Sequence, residues 1–596
     1  MLDYSDYISN IPDVAHQNFA QMLDQVSRDH AGKDAILYRS GKQKEFTRWT
    51  YAQFGEECRR VARGLLAAGL VKGDRVILWA ENRPEWMSTW MGTLIAGICI
   101  VPVDFLLSEQ ECLNIIQTTR ARAFFYSSRK REFAKALAGK GITMPVSVCI
   151  SPEEENGQQM EYNRFGADAA DTPLPPLDSI APHDPASIVF TSGTTGFAKG
   201  VTLSHKNIIA NASAAIRMLE PNDKDVFINV LPLHHTYPTT CSFISPIAYG
   251  VPVVITEKIV GKVVVDDIRD AGVTFLIAVP LLYDKVMAAI ETGYQKLPRM
   301  LRGLLNLLRV IALAEANRGR AEFGRKVFRF IRKKASLHSI RIMVAGGGPL
   351  NPKTADFFDS FGFNILHGYG MSENSPLISV SNERHKRNVS VGLPVIYTEI
   401  KILDPGPEGI GEIAVKSPSV MLGYFENEEA TKETIDADGF LLTGDLGYRD
   451  RDGYLYIKGR SKNLIVSSGG KNVYPEEIET HFNNSRVIGE ILVVGRRESP
   501  HGGEHIFAVV VPNFEAIRED YPEGKPGTEG AEPDKDGDFI KALVKKTIEE
   551  ANRSLPGYKK ISDFIIRTEP FEKNAQQKIR RFMYRFYEDP SGQKSN

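Results

Sequence analysis

Phe190-Thr191-Ser192-Gly193-Thr194-Thr195-Gly196-Phe197-Ala198-Lys199-Gly200-Val201 is the stretch on which the reading of this chain turns. The apolar run from Ala186 to Phe190 predicts a strand, and it feeds a loop of hydroxyls and glycines with one lysine. Glycines let backbone N–H groups approach an anion, hydroxyls donate further hydrogen bonds, and a lysine adds charge. These are the parts of a phosphate cradle. It is not the P-loop of nucleoside triphosphatases, which needs G-x-x-x-x-G-K-[ST] opening a helix, because Gly200 follows Lys199 here.

Outward from this loop, short β-branched runs alternate with helical stretches. Strands are expected at Arg75 to Trp79, Val251 to Ile255, Phe275 to Val279 and Ile340 to Val344, and helices at Tyr51 to Gly69 and Asp356 to Phe361. Alternation of this kind predicts parallel β-α-β layers, an α/β fold. Past about residue 395 the texture changes to strands and turns, with Glu399 to Leu403, Gly411 to Lys416 and an Asp452-Gly453 hairpin turn. A smaller α+β unit follows Arg460, so the expected domains are 1–460 and 461–596. The polar stretch from Glu515 to Asp538 inside the second unit reads as a loop.

Composition narrows the function classes. The 596 residues allow about four domain-sized units. With 73 basic and 74 acidic residues the net charge is −1, so a chain built mainly to hold nucleic acid is excluded. Five scattered cysteines without a C-x-x-C argue against a disulfide scaffold or thiolate zinc site and fit a reducing cytoplasm. The acidic start Met1-Leu2-Asp3-Tyr4-Ser5-Asp6 does not read as a signal peptide. Two long uncharged stretches, Trp86 to Val103 and Val226 to Thr256, are interrupted by glycine or proline, so neither reads as a membrane span.

One segment departs from the neutral background. From Glu291 to Lys334 twelve basic residues face three acidic ones, a local charge of +9. Phe323, Val327, Phe330 and Ile331 recur at helical spacing, with Arg325, Arg329 and Arg332 on another face. That pattern predicts a basic amphipathic helix, either a solvated surface or a peripheral contact of 291–334 with the inner face of an anionic membrane.

With the loop at 190–201, six further motifs in order, the last of them a looser match, resemble the adenylate-forming enzymes, which comprise acyl-CoA synthetases, luciferases and peptide-synthetase adenylation domains. The loop itself is similar to their T-S-G-T-T-G-x-P-K-G, with Ala198 in place of proline. Leu231-Pro232-Leu233-His234-His235 is similar to P-L-x-H, Gly346-Gly347-Gly348-Pro349 to the adenine segment, and Tyr369-Gly370-Met371-Ser372-Glu373 to Y-G-x-T-E. Thr443-Gly444-Asp445 resembles T-G-D, and Gly459-Arg460-Ser461-Lys462-Asn463 the hinge G-R-x-K-D. Gly469 and Gly470 lie in the segment that continues the hinge. Glu572-Lys573-Asn574-Ala575-Gln576-Gln577-Lys578-Ile579-Arg580-Arg581 is a looser match to P-K-T-x-x-G-K-I-x-R.

The resemblance implies a large N-terminal domain of α/β layers with a small β-barrel-like part and a mobile C-terminal lid. It implies ATP, Mg²⁺ and coenzyme A as cofactors and co-substrates, with acyl-adenylate as the intermediate. Thr191, Ser192, Gly193, Thr194, Thr195, Gly196 and Lys199 would hold phosphates. Gly347, Gly348, Pro349, Tyr369 and Gly370 would hold adenine, Ser372 the α-phosphate, Asp445 both ribose hydroxyls, and Arg460 the ribose or phosphate. Glu373 and Thr191 would hold Mg²⁺, and His235 would stand near the acyl carboxylate. Lys462 would be the pivot, Gly469 and Gly470 would flank the pantetheine, and Lys578 would be the adenylation lysine. His-His-Thr-Tyr where amino-acid-activating relatives carry an aspartate argues against an amino acid substrate. The helical basic insertion resembles the branch that takes long-chain fatty acids. An acyl carrier protein acceptor, a medium-chain or aryl acid, and a catalytically impaired acyl-binding protein stay open, as does the oligomeric state.

Overall fold

The structure is a computed structural model, and it describes residues 10–39, 43–151, 161–191, 198–257, 261–467, 471–483, 485–497, 504–521, 537–573 and 579–587. Two large sheets organise the N-terminal part, and both are parallel at their centres, as the alternating pattern requires. One is nine-stranded, with Leu393–Pro394, Leu377–Val380, Ile365–Gly370, Ile342–Ala345, Phe275–Ala278, Phe227–Asn229, Val253–Ile255, Asp34–Tyr38 and Thr47–Thr50 side by side. The other is seven-stranded, with Gly423–Tyr424, Lys199–Ser204, Pro185–Thr191, Cys99–Pro102, Arg75–Trp79, Ala123–Tyr126 and Val146–Cys149 in that order. The expected strand at Ile340 begins two residues later, at Ile342.

The core lies between these sheets and the helices packed on them. Trp86 and Trp90, on the helix Pro84–Ile95, and Tyr51, Phe54 and Phe243 are among its large fully buried side chains. Burying a large apolar side chain contributes on the order of 1.5–3 kcal/mol. The helix Tyr51–Ala67 starts at Thr50, which forms a reciprocal cap with Gln53. Ser204 and Asn207 form the same device at the helix His205–Leu219, and Asn207 also donates to Pro418 O at 2.8 Å. Such a cap is worth about 1 kcal/mol. Here it also fixes where the strand Lys199–Ser204 stops.

Three expectations are corrected. The small β part is no barrel: Glu399–Leu403, Gly411–Lys416, Leu441–Arg449 and Leu455–Arg460 form an open antiparallel sheet of four strands. Four strands are too few to wrap around a filled interior. The stretch from Glu515 is not simply a loop, because Phe514–Asp520 is a helix capped by Asn513; residues 522–536 lie outside the described residues.

The basic amphipathic helix is the third. It is two short helices, Glu322–Val327 and Arg329–Lys334, broken at the buried Phe328. Arg332 is not on a surface face: it is 3% exposed, donates to Gly362 O at 2.7 Å and Ile340 O at 2.5 Å, and stacks on Phe363. Arg325 bonds Arg341 O at 3.1 Å and Glu383 at 3.3 Å. Charge counting placed these two arginines outside because periodicity cannot tell a solvated guanidinium from one that ties loops together.

A smaller α+β part follows. Ile488–Arg497, Glu504–Pro512 and Asp563–Ile566 make a three-stranded sheet, and Ile465–Val466 pairs with Asn472–Val473. Its core joins Ile478, Val493, Ala508 and Val510 to Val544 and Ile548 of the helix Gly537–Ser554. Among the described residues, no helix is long and apolar enough to cross a membrane.

Candidate active site

Thr191 pairs with Lys199 across the antiparallel strands Pro185–Thr191 and Lys199–Ser204, so Lys199 begins a strand and not a helix. Ser192, Gly193, Thr194, Thr195 and Gly196 lie outside the described residues. Gly423–Tyr424 adds to the free edge of that pair, with Tyr424 opposite Val201. This pairing puts the Tyr424 ring 4.8 Å from Lys199 Nζ and lets Tyr424 Oη donate to Glu373 Oε1 at 3.0 Å. Burial, and next the Glu373 charge, push the Tyr424 hydroxyl well above its ordinary pKa, so it stays a donor. Sequence reading missed Tyr424, since nothing local marks it; only the strand pairing brings it in.

Glu373 stands in the turn Ser372–Asn374, just past the strand Ile365–Gly370, and its backbone oxygen accepts from Met421 N at 2.8 Å. Ser372 Oγ lies 3.2 Å from Thr236 Oγ1. Gly370 is obligatory, because a Cβ there would come 2.2 Å from Pro376 O. Tyr369 Oη donates to Asp445 Oδ2 at 2.7 Å, and Arg460 Nε donates to Asp445 Oδ1 at 2.8 Å. Asp445 and Arg460 are direct register partners on adjacent strands. The Asp445 charge, helped by Tyr369 and Glu373, holds the Arg460 guanidinium firmly protonated. One side chain therefore senses both the tyrosine-aspartate pair and the Glu373 turn.

Gly347, Gly348 and Pro349 form the turn after Ile342–Ala345, and Gly347 has φ +80°, the left-handed region that favours glycine. His367 Nε2 lies 3.3 Å from Gly348 O. Burial pulls the His367 pKa down to about 4, so the ring is neutral and its N–H is the donor.

His235 follows the strand Phe227–Asn229. Asn82 brackets the connection, donating to Leu231 O at 2.7 Å and accepting from Leu233 N at 2.9 Å. His234 Nε2 is 3.1 Å from His235 Nε2 and 3.5 Å from Asp104 Oδ1. Desolvation pulls both imidazoles down to about 3, and for His235 the neighbouring ring adds to it while Asp104 opposes. Two neutral imidazoles thus share one proton between facing nitrogens. Asp104, more than a hundred residues upstream, gave no sequence signal.

Lys462 is exposed in the turn Ser461–Asn463, two residues beyond Arg460. Asn463, which stands where the motif usually has aspartate, donates its amide N–H to Glu476 Oε1 at 2.6 Å. Gly469, Gly470 and Lys578 lie outside the described residues. Beside Lys578, Lys573 and Ile579 form a β-bridge, and Lys573 Nζ pairs with Glu490 at 2.6 Å. Arg581 is committed to Glu479 and to Val493 O.

Mg²⁺ fits the residues present. The Glu373 carboxylate and the Thr191 hydroxyl are hard oxygen donors, which suit this ion.

The fold and this cluster define an adenylate-forming architecture. The family model described as AMP-binding enzyme matches residues 23–425, and the AMP-binding enzyme C-terminal domain matches 462–589. The chain belongs to the AMP-binding enzymes and is a ligase of the acyl-CoA synthetase family. It is 27% identical over 511 residues to the long-chain-fatty-acid–CoA ligase ACSBG2 of Gallus gallus, covering 82% of this chain and 66% of that one. It is 29% identical over 498 residues to the long-chain-fatty-acid–CoA ligase FadD15 of Mycobacterium bovis, covering 80% of each. The anthranilate CoA ligase AuaEII in complex with anthranoyl-AMP superposes with a TM-score of 0.74 at 22% identity, covering 96% of this chain and 97% of that one. The o-succinylbenzoate CoA synthetase of Bacillus subtilis with ATP and magnesium superposes at 0.69 and 23%, covering 94% and 98%. At these identities the structures show the fold alone.

Proposed function

We propose that this chain activates a long-chain fatty acid with ATP and transfers it to coenzyme A. The observation that carries the reading is the convergence of Lys199, Tyr424 and Glu373 with Tyr369, Asp445 and Arg460, drawn from three separate sheets and the turns between them. In the first half-reaction the carboxylate attacks the α-phosphate and pyrophosphate leaves. Two anions must meet, so preorganised positive charge and donors are needed. Lys199 and Arg460 supply fixed charge, and Ser372 a hydroxyl. Mg²⁺ held by Glu373 and Thr191 would offset phosphate charge. Asp445 accepts the ribose hydroxyls while Tyr369 carries the base. Lys578 would approach the attacked phosphate from the C-terminal domain. In the second half-reaction the coenzyme A thiolate attacks the acyl carbonyl and AMP leaves. Rotation about Lys462 would remove Lys578 and admit the pantetheine past Gly469 and Gly470.

The choice of acid rests on relatives named for long-chain fatty acids and on the buried surroundings of the histidine pair. Cys241, Phe243 and Ile244 follow it, all buried and uncharged. The test is acid-dependent pyrophosphate release over an acyl series from six to eighteen carbons, with anthranilate added and coenzyme A or holo-acyl carrier protein as acceptor. Highest kcat/KM on the long chains with coenzyme A is expected. Preference for the aryl acid, or for the carrier protein, would overturn the assignment.

A further inference from the structure

The helix Arg299–Ala316 is turned with its polarity reversed. Its central arginine, Arg309, points inward: the guanidinium lies 4.5 Å over Phe361 and 5.1 Å over Phe357 and bonds Ser360 at 3.0 Å. A row of its apolar side chains points outward. Met300 is 92% exposed, Leu304 56%, Leu307 60% and Ile311 40%. Their spacing of four, three and four residues puts them on one stripe. That stripe runs about 17 Å along the axis. The opposite face is anchored by Leu305 and Ala312, which are buried with Phe328 and Phe361. The helix is therefore held in the fold and cannot simply roll its apolar side inward.

Charge is arranged around the stripe. From Lys296 to Arg320 there are six basic residues and one acidic residue, in a chain whose net charge is −1. Lys296 and Arg299 are exposed at one end, and Arg318 and Arg320 at the other, where both also engage Glu315. With Arg309 inside, no charge interrupts the stripe between its cationic ends. An exposed apolar ridge of this size is uncommon on a soluble monomer.

We propose that this ridge seats the protein on an anionic phospholipid bilayer, with Leu304, Leu307 and Ile311 entering the interface and the terminal cations meeting lipid phosphates. Charge complementarity decides the occupant: an apolar ridge between cationic ends matches acyl chains below a negative headgroup plane. A second copy of this chain would bring the same cations against each other. The inference rests on this helix and not on which acid the enzyme takes. It moves the contact away from Phe323 to Lys334, where Arg325 and Arg332 are occupied internally.

The experiment uses the full chain and sucrose-loaded vesicles, either phosphatidylcholine alone or with roughly a quarter phosphatidylglycerol. Wild type should sediment with the anionic vesicles and release in high salt. The variant Leu304→Gln/Leu307→Gln/Ile311→Gln should lose roughly tenfold or more in partitioning. It should keep its melting temperature, since these side chains are exposed. A single Leu307→Trp probe in the otherwise native chain should shift its emission to the blue on anionic vesicles and be quenched by brominated lipid. Equal vesicle binding by the triple variant, or no blue shift, would overturn the proposal. So would wild-type self-association that the triple variant abolishes while neither protein binds vesicles.

Discussion

Tyr424 donates to Glu373 across two sheets, Oη to Oε1 at 3.0 Å, with Lys199 poised over the same ring. The residues come from a strand edge, a turn and a hairpin that are neighbours only in the folded chain. The bond aims the carboxylate assigned here to Mg²⁺. Tyr424→Phe keeps the ring and removes the donor. A hydrogen bond to a charged group is worth about 1.5–3 kcal/mol, so a loss of about tenfold or more in pyrophosphate release is expected. A raised half-saturating Mg²⁺ concentration should accompany it. Unchanged Mg²⁺ dependence would detach Tyr424 from the metal site.

Asp445 is almost fully buried between Tyr369 and Arg460. Asp445→Asn keeps the shape, removes the charge and should raise the ATP KM by about tenfold or more. The acid KM should hardly move. Equal effects on both would mark a general loss of structure, which a thermal melt would reveal.

Lys578→Ala should slow acyl-dependent pyrophosphate release by about a hundredfold or more. Transfer from synthetic acyl-adenylate to coenzyme A should survive, because the proposed reaction uses this cation only in its first half. Lys573 is paired with Glu490 and is the poorer stand-in. Normal adenylation by the variant would remove Lys578 from the reaction.

Four buried histidines set the acid limit. His205 and His367 are pulled down to about 4, and His234 and His235 to about 3, against 6.5 in a free chain; burial is the leading cause in each. The folded state keeps them neutral while the unfolded chain takes up protons below 6.5. Their contribution is complete above that pH and is lost as pH falls towards 3 to 4. The melting temperature should therefore be flat near neutrality and decline below about pH 6.5. His205→Gln should shallow the decline. Stability rising on acidification would contradict the burial argument.

How much was legible from the sequence depended on range. Arg75 to Trp79, Glu399 to Leu403 and Gly411 to Lys416 were readable to the residue, because alternation and turn chemistry are local. Tyr369, Asp445 and Arg460 were readable as motif members, and the fold brings them into contact. Asn82, Asp104 and Tyr424 were not, because each reaches the site through a partner far along the chain. Arg332 was misplaced for a related reason: its acceptors, Gly362 O and Ile340 O, belong to later segments. The outward leucines of the helix Arg299–Ala316 were missed because a basic stretch draws attention to its charges.

The strand Leu455–Arg460 delivers Arg460 to Asp445 and then, without a spacer, enters the turn containing Lys462. Nucleotide wall and proposed pivot are thus one lever with no slack. Such a connection should be intolerant of length: two glycines inserted between Arg460 and Ser461 would leave each half-reaction its own groups yet break the timing between them. Acyl-adenylate would then escape into solution and hydrolyse, so that ATP consumption outruns thioester formation. Stoichiometry, more than rate, is what this short connection protects.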